Sequence, residues 1–203
     1  MKELLLKIRA LLSRLAARGG ENPLAAAAAV SLSLLEEGDL FAGGPVLTPA
    51  GAALDEKPVI GPADPLLAAG AAWALQRKGQ GGVVVAAADE TETQRLDEAI
   101  ALAVKLSLPL VLLVSCHEAA LDELSSRVMA ADMECIPADG RGVMKLMPAL
   151  RLAVDKAREG DGPTLIECVC DQPLDDEDTP ADPLERLNSV LILEGYAMPE
   201  ELI

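Results

Sequence analysis

Four short apolar segments alternate with three amphipathic segments in the second half of the chain, and this alternation constrains the fold most strongly. The predicted strands are residues 82–87, 108–114, 134–137 and 163–169, and the predicted helices between them are residues 91–106, 118–130 and 143–159. Strands alternating with helices of this length form right-handed βαβ units, in which a parallel sheet is covered on both faces. The sequence therefore predicts an α/β fold with a parallel sheet of about four to six strands, flanked by helices.

Capping residues mark where further helices start and stop. Three side chains suited to an N-cap stand directly before a proline, which fits the first helical position: Asn22, Asp64 and Asp182. Three glycines provide the C-terminal stops of the helices opened there: Gly38, Gly79 and Gly195. These helices are predicted to end near residues 37, 78 and 194.

Two segments interrupt this regular pattern. Residues 39–62 are rich in Pro and Gly and show no period, which predicts a long loop. Pro148 falls inside the predicted helix 143–159, where it either opens the main helix or kinks it. Neither segment changes the predicted fold class.

The N-terminal segment predicts a basic, amphipathic helix. Its apolar side chains share one face at helical spacing: Leu4, Ile8, Leu11, Leu12 and Leu15. Basic residues such as Lys7 interrupt what would be the apolar core of a secretory signal. We expect the apolar face to dock on the rest of the chain or on a partner subunit, with an organellar transit segment as the alternative. The predicted organisation is an N-terminal amphipathic helix over residues 1–20 and a single domain over residues 21–203.

Composition excludes several classes of protein. Aromatic residues make up 1% of the 203 residues and hydrophobic residues 51%, so the core must consist of Leu, Val, Ile and Ala. The net charge of -16 argues against a nucleic-acid partner, which requires clustered Lys and Arg. No apolar run reaches the roughly 18 residues of a membrane span. The four cysteines lack paired CxxC spacing, which indicates apolar packing in a reduced, cytoplasmic protein.

Polar residues follow two of the predicted strands at the point where each strand ends. Asp89 leaves the first strand, and Cys116 and His117 leave the second. The carboxyl ends of parallel strands and the N-termini of the helices that follow them are where such sheets bind ligands, anions in particular. The residues leave two interpretations open for each position. Asp89 is a metal ligand or a helix cap, and Cys116 with His117 is a local hydrogen-bonded cluster or part of a zinc site that includes Asp89.

Several stretches, in order from about Pro23 onward, resemble one family, the α subunit of the thiamine-diphosphate-dependent decarboxylating component of 2-oxoacid dehydrogenases. The stretches are residues 60–72, 82–117, 138–144, 157–167 and 182–195, and Gly162-Pro-Thr-Leu-Ile-Glu167 is the most specific. The resemblance implies the thiamine-diphosphate-binding fold. It also implies a diphosphate site that includes Gly61, Asp89, Glu90 and Thr91, and a magnesium site at Asp89 and His117.

The departures from the family pattern fall on the residues that hold the cofactor. The family has Gly-Asp-Gly after the first strand and Asn-Asn after the second, whereas this chain has Ala88-Asp89-Glu90 and Cys116-His117. Glu90 places a carboxylate where a diphosphate would lie, and two unit charges 4 Å apart repel by about 4 kcal/mol at an effective dielectric of 20. Imidazole is also a poorer magnesium ligand than an oxygen donor. The resemblance thus implies a family that uses thiamine diphosphate and magnesium, and the departures predict their loss.

Three functions follow from this combination. The preferred one is a degenerate, C-terminally shortened α-like subunit that keeps the fold and acts as a scaffold or partner subunit, with no catalytic residue assigned. The alternatives are a minimal active α subunit for oxidative decarboxylation of a 2-oxoacid, and a small anion- or metal-binding module. The family is oxidoreductase, but the sequence leaves open whether this chain is an enzyme. The expected partners are further copies of the chain or a β-type, transketolase-like subunit, contacted through the apolar face of the first helix and through alanine-rich helices.

Overall fold

The computed structural model describes residues 1–16, 23–43, 59–60, 64–89, 93–170 and 182–202 of the chain. The strands are β1 (Leu40–Ala42), β2 (Val59–Ile60), β3 (Val84–Asp89), β4 (Leu110–Cys116), β5 (Glu134–Asp139) and β6 (Thr164–Val169). The helices are α1 (Lys2–Ala16), α2 (Ala25–Leu34), α3 (Pro65–Lys78), α4 (Thr93–Leu106), α5 (Leu121–Ala130), α6 (Val143–Glu159) and α7 (Pro183–Leu193). Short 3₁₀ turns cover Glu118–Ala120 and Pro199–Leu202. The strands form one parallel sheet in the order β2-β1-β3-β4-β6-β5, which confirms the predicted α/β architecture.

Each face of the sheet is covered by its own layer of helices. One core contains side chains from α1, α2, α6 and α7, and the other contains side chains from α3, α4 and α5. In β4, Val111 and Leu113 point into the first core, while Leu110, Leu112 and Val114 point into the second. Burial on both faces explains why the central strands are apolar runs without alternation.

The first helix packs on its own domain. The buried side chains of α1 are Leu5, Ile8, Leu11, Leu12 and Leu15, and they belong to the core that α2 and α7 share. Leu5 replaces the predicted Leu4, which is only partly buried. Arg9 adds a hydrogen bond from its Nε to Asn188 Oδ1 in α7, at 2.8 Å. Docking on the domain is therefore confirmed, and the expectation that this face forms an assembly surface is wrong. The predicted boundary at residue 20 lies outside the described residues.

Two of the three predicted N-caps are confirmed. Asp64 Oδ1 accepts hydrogen bonds from Leu66 N at 2.9 Å and Leu67 N at 3.3 Å, and Asp182 caps α7 in the same way. The helix predicted to follow Asn22 differs from the prediction. This helix, α2, begins at Ala25, and Asn22 lies outside the described residues. α2 ends at Leu34, because Leu35 has an extended backbone. Gly38, the predicted stop of this helix, therefore lies in the turn before β1 instead.

The predicted loop 39–62 is wrong at two places. Leu40–Ala42 and Val59–Ile60 are strands of the sheet, and the intervening residues 44–58 lie outside the described part of the chain. Strands of three and two residues are too short to show a period. Their order is fixed by pairing, of β1 with β3 and of β2 with β1. Tertiary contacts therefore determine what the local sequence does not.

The strand starts also move relative to the prediction. The first predicted strand began at Gly82, but β3 begins at Val84. A Cβ atom built on Gly82 would lie 2.6 Å from the carbonyl oxygen of Gly38. Glycine at this position therefore allows the chain to pass close to the turn before β1. β4 likewise starts at Leu110, after Pro109, and both strands extend two residues further toward their carboxyl ends than predicted.

Pro148 lies within the longest helix. α6 has 17 residues and starts at Val143, so Pro148 does not open it. Proline has no N–H, and therefore the hydrogen bond to the carbonyl of Met144 is missing from the helix. No described helix combines the length and the apolar character needed to cross a membrane.

A buried carboxylate organises the amino end of the sheet. Asp39, which is 1% exposed, accepts hydrogen bonds from Val83 N through Oδ1 and from Glu36 N through Oδ2, both at 2.8 Å. Its Oδ2 also pairs with Arg158 Nη2 at 2.6 Å. One side chain thus joins the α2–β1 turn, the segment before β3 and the end of α6, at the edge opposite to the predicted ligand site.

Candidate functional site

The carboxyl ends of four neighbouring strands meet at one edge of the sheet. Across this edge Asp89 is in register with Ser115, and Val169 is in register with both Cys116 and Asp139. The chain leaves β1 toward one side of the sheet and leaves β3 toward the other. Such a switch in direction opens the crevice in which open parallel sheets bind ligands.

Asp89 occupies the predicted position at this edge. It is the last residue of β3, and its backbone pairs with Ser115 on β4, two residues before His117. The strands that carry Asp89 and His117 are therefore direct neighbours, as a shared site requires. The side chain of Asp89 and the other predicted cofactor positions, Gly61, Glu90 and Thr91, lie outside the described residues.

Cys116 and His117 have opposite environments. Cys116 is buried in the core beneath α3, α4 and α5, whereas His117 is exposed at the start of the 3₁₀ turn. The backbone of His117 is extended, and its carbonyl accepts a hydrogen bond from Ala120 N at 2.9 Å. Adjacent residues at a strand end point in different directions, which argues against a catalytic dyad of these two side chains.

The described residues contain no group of three His, Cys, Asp or Glu side chains that could hold a metal ion. The alternative zinc site of Asp89, Cys116 and His117 includes the side chain of Asp89, which lies outside the described part of the structure. This zinc site therefore stays a prediction. The geometry nevertheless weakens it, because a buried thiol and an exposed imidazole are poorly placed to share one ion.

The end of β5 carries a second buried carboxylate, which the sequence did not single out. Asp139 Oδ2 pairs with Arg186 Nη1 of α7 at 3.1 Å and lies 3.8 Å from Lys145 Nζ of α6. Asp139 Oδ1 accepts a hydrogen bond from Arg141 N at 3.0 Å. The carboxylate thus closes the turn between β5 and α6 and ties it to α7. Two basic side chains, those of Arg186 and Lys145, thus lie against this carboxylate.

Two glycines allow that turn to lie against the sheet. Gly140 N donates to Val169 O at 2.8 Å, and a Cβ atom at Gly140 would lie 3.1 Å from the same oxygen. A Cβ atom at Gly142 would lie 3.0 Å from Asp139 Oδ2. The Asp-Gly-Arg-Gly spacing after a strand is the sequence signal that could have identified Asp139.

A third buried carboxylate lies within β6. Glu167 is 0% exposed, and Ser125 Oγ lies 2.9 Å from both of its oxygens. Burial raises the pKa of Glu167, and the nearby Asp122 carboxylate raises it further, while hydrogen bonds from Ser125 and Cys135 oppose the rise. Glu167 ends the Gly-Pro-Thr-Leu-Ile-Glu run, whose sequence indicates the family resemblance but not the burial of this carboxylate.

The four cysteines are free thiols, and two of them have environments that disfavour the reactive thiolate. Burial and the Glu167 carboxylate raise the pKa of Cys135 to about 12. Burial likewise holds the pKa of Cys168 well above its ordinary value. Because the thiolate is the reactive form, these two residues act as packing groups, as the sequence predicted for Cys168.

The fold resembles that of solved thiamine-diphosphate enzymes. The structure of benzoylformate decarboxylase from Polynucleobacter necessarius matches with a TM-score of 0.50 and 15% identity, over 75% of this chain and 34% of that chain. A structure from Mycobacterium smegmatis assigned as a thiamin diphosphate-dependent enzyme gives a TM-score of 0.49 and 17% identity, over 69% of this chain and 30% of that chain. The sheet therefore has the predicted thiamine-diphosphate-binding fold.

In sequence, the chain is similar to the α subunit of acetoin:2,6-dichlorophenolindophenol oxidoreductase from Bacillus subtilis (strain 168). The two are 34% identical over 53 residues, which are 26% of this chain and 16% of the relative. The chain spans about a third of the length of the solved structures that it matches. No protein-family model matches it. The predicted resemblance to an α subunit is thus confirmed.

Proposed function

We propose that this chain is an α-type subunit that keeps the thiamine-diphosphate-binding fold and has lost tight binding of the cofactor. The observation that carries the proposal is the end of β4, where Cys116 is buried in the core and His117 is exposed. Magnesium prefers oxygen ligands, and neither of these side chains supplies one. The donor set at this strand end therefore does not fit a magnesium diphosphate.

The sequence directly after β3 supports the same conclusion. The family has glycine where this chain has Glu90, directly after the strand end at Asp89. A carboxylate side chain at that position repels a diphosphate electrostatically and occupies space that glycine leaves free. In this proposal Asp89 is a helix-cap carboxylate, residues 21–203 form one domain whose core the first helix completes, and the protein is cytoplasmic. A working decarboxylase is the second candidate, favoured only by the aspartate kept at residue 89.

Restoring the family residues tests the loss of binding. The double variant Glu90→Gly with His117→Asn is expected to bind thiamine diphosphate with magnesium at least tenfold more tightly than the unchanged chain, because it removes one charge and adds one oxygen donor. The matched control is Glu118→Gln with Glu123→Gln, which lowers the negative charge nearby and leaves residues 90 and 117 unchanged. Equal affinity in the double variant and the control would show that residues 90 and 117 do not determine binding.

We also propose that the chain acts as a scaffold or partner subunit, either with further copies of itself or with a β-type subunit. With the apolar face of α1 buried internally, the exposed apolar side chains of α3 provide the support: Leu67 is 48% exposed and Trp73 is 50% exposed. The similarity to a relative named as a subunit points the same way.

The purified chain is therefore expected to exceed its monomer mass of 21.1 kDa in sedimentation equilibrium. Because Trp73 is the only tryptophan, its emission is expected to shift to longer wavelength as dilution dissociates the oligomer. A mass of one chain at every concentration, with constant emission, would exclude the homo-oligomer and leave a different subunit as the partner.

A further inference from the structure

One face of α3 is exposed although it is largely apolar. Leu67 and Trp73 are about half exposed, at 48% and 50%, and they share this face with Gly70, Ala74 and Arg77, because residues three or four apart lie on one side of a helix. The opposite side of α3 is buried in the core that it shares with α4 and α5. Contiguous apolar surface of this kind marks a site of interaction.

Gly70 lies near the middle of this face and has no internal reason to be glycine. Its backbone is not among those with positive φ, and a Cβ atom built on it would meet no atom within 4 Å outside its own helix backbone. Glycine is, after proline, the least favourable residue in a helix interior. No contact within the described chain therefore accounts for glycine at this position. A second helix that approaches α3 closely does account for it, because glycine leaves room for another backbone.

The charges of α3 indicate that the second helix belongs to another copy of the chain. α3 contains no Asp or Glu, whereas each of the other described α-helices with an exposed face contains at least one: α1, α4, α5, α6 and α7. Two copies that each carry a net charge of -16 repel one another over most of their surfaces. Among the described helices, α3 is thus the exposed surface at which two copies approach with the least repulsion.

The order of residues along α3 fits a two-fold pair of antiparallel helices. In such a pair, residue i of one copy contacts residue j of the other, and j contacts i. Gly70 and Trp73 are equally far from the middle of Pro65–Lys78, so antiparallel pairing about the middle places the largest side chain of each copy beside the glycine of the other. The two Arg77 side chains would start roughly 16 Å apart, at 1.5 Å of rise per residue, which is about twice the screening length at physiological salt.

We propose that two copies of the chain associate through α3, antiparallel about a two-fold axis, with Trp73 of each copy packed on Gly70 of the other. The proposal rests on the proposed role as a scaffold or partner subunit, and it names a second copy as the partner and α3 as the contact. It does not depend on whether a cofactor binds.

Sedimentation equilibrium of the intact chain and its variants tests the contact. Gly70→Leu is expected to raise the dissociation constant of the dimer by about tenfold or more, because the added side chain occupies the space of Trp73 from the other copy. Circular dichroism should show unchanged or higher helix content, since leucine is a better helix former than glycine. Trp73→Ala should weaken association by at least about tenfold as well, because buried tryptophans contribute strongly at interfaces. Leu193→Ala is the matched control: it removes an apolar side chain of α7 that is 85% exposed and should leave the dissociation constant unchanged.

Disulfide cross-linking tests the orientation of the two helices. Ala71 lies next to the proposed axis, so the cysteines of Ala71→Cys in the two copies should come within the roughly 7 Å between Cα atoms that a disulfide allows. Mild oxidation is therefore expected to give a covalent dimer. In Arg77→Cys the two positions are too far apart to bridge, so this variant should stay unlinked. The unchanged chain, oxidised in parallel, accounts for any linkage through its four native cysteines.

The possible failures can be told apart. Association that is as tight in Gly70→Leu and Trp73→Ala as in the unchanged chain would overturn the contact through α3 and leave the scaffold role with another surface. Cross-linking of both cysteine variants would overturn the antiparallel arrangement, because a parallel pair brings each residue beside its own copy. A monomer at every concentration would overturn the second copy as the partner, while a role beside a different subunit would stand.

Discussion

Asp39→Ala is expected to lower the free energy of unfolding by about 3–5 kcal/mol, the range for breaking a buried ion pair from one side. The variant leaves the N–H groups of Val83 and Glu36 without their acceptor. It also leaves Arg158 without the carboxylate 2.6 Å from its guanidinium group. All of these groups lie where three segments of the chain meet, so the structure has little freedom to compensate.

Urea denaturation followed by circular dichroism measures this loss. Asp155→Ala is the matched control, because Asp155 also pairs with Arg158, at 3.7 Å, but is 59% exposed. Exposed pairs contribute about 0–1 kcal/mol, so the control should be close to the unchanged chain. Equal midpoints for the two variants would mean that Asp39 is not the organising group at the amino end of the sheet.

Asp139→Ala is expected to have an effect of similar size at the other end of the sheet, again about 3–5 kcal/mol. Both members of the pair are enclosed, since the side chain of Asp139 is 5% exposed and that of Arg186 is 13% exposed. Removal of the carboxylate also takes the acceptor from Arg141 N and opens the turn between β5 and α6.

Lys145→Ala is the control for this second loss. Lys145 lies 3.8 Å from the same carboxylate and is 54% exposed, so its removal should cost no more than about 1 kcal/mol. Asp139→Asn should fall between the two, because the amide oxygen can still accept from Arg141 N but the charge that pairs with Arg186 is gone. A loss below 1 kcal/mol in Asp139→Ala would contradict the assigned role.

The fold was largely predictable because its signals are local. Each central strand is an apolar run, and the amphipathic segments between them leave only a parallel sheet with helices on both faces. Asp64 and Asp182 each precede a proline and cap their helices as predicted. The two short strands β1 and β2 were missed because they exist only through pairing with neighbours distant in the chain.

The sequence predicted where the candidate site lies on the sheet, but it did not identify all of the buried residues around it. Asp89 and His117 leave neighbouring strands at one edge, as the order of strands along the chain suggested. Asp139 and Glu167 were not identified as buried carboxylates, because their partners, Arg186 and Ser125, are 47 and 42 residues away. Burial of a polar group depends on which helix covers it, and the local sequence does not contain that information.

Calorimetric titration of the unchanged chain with thiamine diphosphate in excess magnesium measures directly whether the chain binds the cofactor. We expect no saturable binding at micromolar concentrations, because the carboxylate of Glu90 repels a diphosphate and His117 supplies no oxygen ligand. Circular dichroism of the same sample should show the folded α/β protein. This control excludes unfolding as the reason for the absence of binding heat. One cofactor per chain with a dissociation constant of about 1 μM or tighter, about -8 kcal/mol or more favourable, would contradict the loss of binding.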